Sequence, residues 1–116
     1  MTTPIEIIED IKRTQQAIIE GNTLLKTIGV KRAKAEYEYR KKLSQLILHL
    51  RYEKKIPVNL VDNIAKGNEQ VAKLRLERDI AQAEYETTKY QLKGLEKSLE
   101  AYRSILSYDK IELNSY

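Results

Sequence analysis

The sequence predicts an all-α fold, a long antiparallel helical hairpin of coiled-coil type with a short helix at its turn, and three observations predict it. In the second half Val71, Leu74, Arg78, Ala81, Tyr85, Thr88, Leu92, Leu95, Leu99, Tyr102 and Leu106 recur alternately three and four residues apart, which aligns them in one seam of a long helix. A third of the 116 residues are charged and only four Gly and two Pro punctuate them, the composition of long solvent-washed helices. Loop chemistry is confined to one stretch near the middle, so two long helices must run back along one another.

Thr3-Pro4-Ile5-Glu6 reads as a helix start. Thr3 caps, Pro4 suits the first helical position because no N–H is needed there, and Glu6 completes a capping box. Ile8, Ile11, Ile18 and Leu25 follow at seam spacing, with Gln15 and Asn22 on the intervening positions. Two readings stay open at Gly21-Asn22: polar seam residues that set register at a cost in stability, or a break in the helix. Gly29 is a second weak point.

From Val30 a broadening apolar face carries Tyr39, Leu43, Leu46, Ile47 and Leu50. Lys54-Lys55-Ile56-Pro57 closes the first helical unit, expected over 4–55, because Pro57 disfavours helical backbone at Ile56. The turn is expected over 56–67, with a short helix capped by Asn59, turning Leu60, Val61 and Ile64 inward and ending at Gly67. Asn68 caps the second long helix, expected over 68–107, and 108–116 read as a tail. Such a turn places Tyr39 beside 81–88 and Leu46 or Leu50 beside 71–78.

The whole of 1–116 reads as a single helical domain. Its arms of about 50 and 40 residues span ~75 Å and ~60 Å at 1.5 Å per residue, so part of the Ile stripe over 4–20 lacks an intrachain partner. Self-association is therefore expected, with a dimer favoured because Gln15 and Asn22 limit the apolar area on offer.

Residue chemistry excludes most catalytic classes. Absence of Cys removes disulfides, thiolate metal sites and cysteine nucleophiles. His49 is the lone histidine and Ser44 and Ser98 have no base nearby in sequence, so no triad can be assembled. Asp62, Asn63, Asn68 and Glu69 fail the alternate-ligand spacing of a calcium loop, and Lys66-Gly67 lacks the Gly-rich turn of a phosphate loop. No cofactor or metal is expected. No run approaches ~18 apolar residues and the start has no basic leader, so a soluble intracellular protein without membrane contact is expected.

The net charge of +4 is unevenly spread. Residues 31–55 hold nine basic groups against Glu36, Glu38 and Glu53, which leaves +6 there, while 1–30 and 56–116 each sum to −1. Lys31, Lys34, Arg40, Lys41 and Lys42 are the candidate contacts for nucleic acid or for an acidic protein. Neither a helix-turn-helix signature nor a repeated Arg-Gly tract accompanies them. A solvated helix face partly neutralised by the second helix explains them as well. Arg78, within the seam, either snorkels to the rim or pairs with a Glu of the facing helix.

From Leu50 to Asp79, through the Pro57 turn, Ala65-Lys-Gly-Asn-Glu69 and Lys73-Leu-Arg-Leu-Glu-Arg-Asp79, and again at Tyr102-Arg-Ser-Ile-Leu-Ser-Tyr108, the chain resembles small uncharacterised proteins of phages and prophages of Gram-positive bacteria. The resemblance covers about the C-terminal two-thirds. It implies a helper protein of the bacterial cytoplasm and assigns no enzymatic residue. Prefoldin-like chaperones share helical arms but need β-hairpins that 56–68 do not suggest.

Sequence and resemblance together give a non-enzymatic interaction protein that docks onto a larger protein, either replication or recombination machinery or a host defence or metabolic enzyme inhibited by occlusion. A nucleic-acid-binding accessory using 31–55 is the alternative. The helix-seam residues expected to carry docking or self-association are Ile8, Ile11, Ile18, Leu25, Leu46, Leu50, Val71, Leu74, Tyr85, Leu92, Leu95, Leu99, Tyr102 and Leu106.

Overall fold

A computed structural model describes residues 3–114, and these form an all-α helical hairpin. Helix α1 spans Pro4–Leu48 and continues as a π-helical turn over His49–Glu53; α2 spans Val58–Gly67 and α3 spans Glu69–Asn114. No helix among the described residues is long and apolar enough to cross a membrane. The chain groups into two compact units, Thr27–Tyr85 and Met1–Lys26 with Glu86–Tyr116.

Helix α1 starts on the capping box. Thr3 Oγ1 accepts from the Glu6 N–H at 3.2 Å, and Glu6 Oε2 accepts from the Thr3 N–H at 3.3 Å, which satisfies two donors the first turn cannot pair internally. The helix runs unbroken through Gly21 and Gly29. An isolated glycine costs only about 1 kcal/mol relative to Ala, less than the packing of a long apolar face recovers.

In the unit Thr27–Tyr85 the chain reverses within Lys54–Pro57, a shorter turn than the expected 56–67. At the π turn the Lys54 N–H donates to His49 O at 3.1 Å, and the Ile56 N–H reaches back six residues to Leu50 O at 2.9 Å. Between them Lys55 adopts φ 56°, a left-handed residue at the helix end. The Arg51 guanidinium donates to Ile56 O at 3.2 Å and ties the turn to the helix.

Helix α2 begins directly after Pro57, whose carbonyl accepts from the Leu60 and Val61 N–H groups. Asn59 is therefore inside the helix and caps nothing. Asn68, with extended backbone, breaks α2 from α3 and caps the latter: its Oδ1 accepts from the N–H groups of Gln70 at 3.0 Å and Val71 at 3.2 Å. Thus α2 belongs to the returning arm and packs against the π turn.

The register follows from the shorter turn. Lys31 and Glu84, which form an ion pair at 3.2 Å, lie 26 residues before Pro57 and 26 after Val58. Tyr39 accordingly meets Arg78, and not 81–88 as a reversal centred further along would require. Buried Val61, Ala65, Val71, Ala81 and Tyr39 form the core of this unit.

In the unit formed by Met1–Lys26 and Glu86–Tyr116, Ile7, Thr88 and Leu92 are buried. Gly21 lets the helices approach: a Cβ built there would lie 2.5 Å from Leu92 Cδ2. Helical backbone continues to Asn114, beyond the expected end at 107, so of the expected tail 108–116 only 115–116 fall outside the described residues.

Candidate interaction surfaces

The seam of α3 is its buried side in both units. Val71, Ala81, Thr88 and Leu92 are buried, and Leu74, Arg78, Tyr85, Leu95, Leu99, Tyr102 and Leu106 are half-buried. On α1 the half-buried positions include Ile11, Ile18, Leu25 and Leu46, and on the π turn Leu50.

Ile8 departs from its expected place. It is 40% exposed, whereas Ile7 is 2% exposed and takes the seam position. The intervening positions are correspondingly Thr14 and Gly21, while Gln15 and Asn22 are exposed. Placing a polar residue one step off the seam turns it by about 100° and removes its cost, so neither Gln15 nor Asn22 restricts the apolar interface.

Arg78 shows how a guanidinium is accommodated in a seam. It stacks on the Tyr39 ring with Cζ 4.3 Å from the centroid, donates to Asp79 at 3.0 Å and lies 3.6 Å from Glu36 on α1. Desolvation pulls its pKa down, but the hydrogen bond it donates to Asp79 and the charges of Asp79 and Glu36 outweigh this and raise it, so it stays ionised. It lines an open groove of about 680 Å³ with Arg32, Glu36, Arg40, Asp79 and Tyr85. Arg32 lies over the Tyr85 ring at 4.7 Å and Arg40 pairs with Glu36, so the guanidinium groups in this groove hold tyrosines and carboxylates of the same unit.

The basic segment is divided by these pairings. Lys31 holds Glu84, and Lys41 lies 5.8 Å from the Tyr37 centroid. Lys34 and Lys42 make no ion pair among the described residues, and nor do Lys54 and Lys55. His49 Nδ1 lies 2.7 Å from Glu53 across one turn on the surface. Among the described residues no group of three or more His, Asp or Glu side chains is placed to hold a metal.

One surface escapes a reading by seams alone. Leu60 and Ile64, expected to face inward, are 47% and 45% exposed, and Val61 and Ala65 take the buried stripe of α2. In so short a helix a single stripe at i and i+4 fills the contact, and the neighbouring positions are turned out. Leu48, Tyr52 and Val58 are likewise exposed, so exposed apolar side chains stand on both of the elements that pack together at the turn, the π-helical end of the first arm and α2, with Lys54 and Lys55 between them in the chain. The signal available in the sequence was an α2 with more apolar residues than one stripe can bury.

No protein-family model matches the chain, and neither does any curated protein or solved structure.

Proposed function

We propose that the protein is a non-enzymatic helical docking module of a phage or prophage, acting in the bacterial cytoplasm, and that its unit Thr27–Tyr85 meets an acidic surface of a larger protein. The observation that carries this reading is the set of exposed apolar side chains Leu48, Tyr52, Val58, Leu60 and Ile64, on either side of Lys54 and Lys55 in the chain. Large exposed apolar side chains on elements that pack against one another, as α2 and the π turn do, offer a contact surface. The unit holds thirteen basic and eight acidic residues, a surplus that attracts and orients an acidic partner. A replication or recombination component, or a defence or metabolic enzyme blocked by occlusion, fits this mode.

Lys34 and Lys42, without ion pairs among the described residues, support the second reading, contact with nucleic-acid phosphates. One experiment separates the two. Tagged wild type and the double variant Tyr52→Glu, Ile64→Glu are recovered from infected or lysogenic cells at ~0.15 M salt, where long-range contacts between exposed charges are largely screened. A partner retained by wild type and lost by the variant supports docking. A partner indifferent to the variant, together with salt-sensitive nucleic-acid binding that falls when Lys34, Lys41 and Lys42 become Gln, overturns it.

A further inference from the structure

The α3 segment within the unit formed by Met1–Lys26 and Glu86–Tyr116 carries a second, uncharged line besides its seam. Tyr90, Gly94, Ser98, Ala101, Ile105 and Tyr108 recur three or four residues apart, every one is exposed, and none is charged, although the Lys93 ammonium lies 5.7 Å from the Tyr90 ring centroid. Over 19 residues, ~28 Å of helix, a solvent-facing line would be expected to carry charges, as the neighbouring Lys93, Lys97 and Glu100 do. Small residues at 94, 98 and 101 let a second helix approach closely, with large ones at 90, 105 and 108 to pack around it. The same unit holds a groove of about 280 Å³, whose lining includes Leu24, Leu92 and Leu95 with the polar Glu20, Thr88 and Gln91.

We infer that this face binds the same face of a second copy of the chain. Charge selects that occupant. The unit holds eight basic and nine acidic residues, so two copies meet there with only one net charge each to oppose them, whereas Thr27–Tyr85, with its surplus of five positive charges, repels its own copy far more strongly. Area is consistent with it. Tyr90 and Tyr108 are 69% and 66% exposed and Ile105 and Leu24 about half, which leaves on the order of 500 Å² to cover on each copy. Two copies then reach the roughly 1,000 Å² at which a specific interface becomes stable. A two-fold contact through one face also closes at a dimer. The inference concerns residues other than those of the proposed docking surface, and each fails by its own variants.

Mass in solution tests it, by light scattering and sedimentation equilibrium at tens of micromolar, in ~0.15 M and again in ~0.5 M salt. Wild type is expected at twice the 13.5 kDa chain mass in both, because an apolar contact is insensitive to screening. Tyr90→Glu and, independently, Ile105→Glu are expected to give the monomer mass with unchanged helicity by circular dichroism, since both positions face solvent within the chain. Ile80→Glu, on the other unit, is expected to leave the dimer intact. A monomeric wild type, or a dimer that survives both Tyr90→Glu and Ile105→Glu, overturns the inference.

Discussion

Replacing Gly21 and Gly29 by alanine, one at a time, should move stability in opposite directions. Both glycines lie inside α1, where alanine gains about 1 kcal/mol from helix propensity. At Gly29 the new methyl would sit 3.5 Å from Tyr85 Cε2, an ordinary contact that adds a few tenths of a kcal/mol of apolar burial. Gly29→Ala is therefore expected to stabilise by about 1–1.5 kcal/mol, or roughly 5 °C in Tm for a chain of this size. At Gly21 the same methyl would fall 2.5 Å from Leu92 Cδ2 and 3.3 Å from Cγ. Leu92 is 6% exposed, and the end of its side chain must swing out of the seam toward the groove it lines with Gly21, an overpacking cost of about 1–3 kcal/mol. The net change is a loss of about 0–2 kcal/mol, so two chemically identical substitutions differ by ~1–3 kcal/mol. Urea and thermal unfolding followed by circular dichroism, at one fixed protein concentration because self-association contributes to apparent stability, measures both. Equal stabilisation by the two would show that the helices do not close on Gly21, and destabilisation at Gly29 would show that the helix is interrupted there.

Further expectations rest on single contacts. Lys55→Gly should stabilise by about 1 kcal/mol, because φ 56° strains a residue with a Cβ and not a glycine; a lower urea midpoint would contradict the left-handed turn. Asn68→Ala should cost about 1 kcal/mol by leaving the Gln70 and Val71 N–H groups uncapped, whereas Asn59→Ala should leave the urea midpoint within a few tenths of a kcal/mol. Arg78→Lys keeps the charge but loses the planar stack on Tyr39, and a loss of about 0.5–1.5 kcal/mol is expected; the same loss in a Tyr39→Leu background would show that the stack contributes nothing.

Helical class, the two long helices and the α3 seam were legible in the sequence, because a heptad pattern is a local property: side chains at three- and four-residue spacing share a face whatever the partner is. The Thr3/Glu6 capping box and the Asn68 cap were legible for the same reason, each being a contact within four residues. Tertiary structure decided what depends on distant neighbours. Whether Ile7 or Ile8 enters the seam is a choice between two isoleucines one residue apart, and only the position of the facing helix makes it. Gly21 looked like a weakness in the sequence and is a point of close approach, since what glycine removes is a side chain that Leu92 would meet. The reversal is tighter than composition suggests because a π turn and a left-handed lysine, neither of which has a sequence signature, close it within Lys54–Pro57. That tighter turn shifts the register, seats Arg78 on Tyr39 and turns Leu60 and Ile64 outward, so the surface offered to other molecules was set by packing that no local pattern encodes.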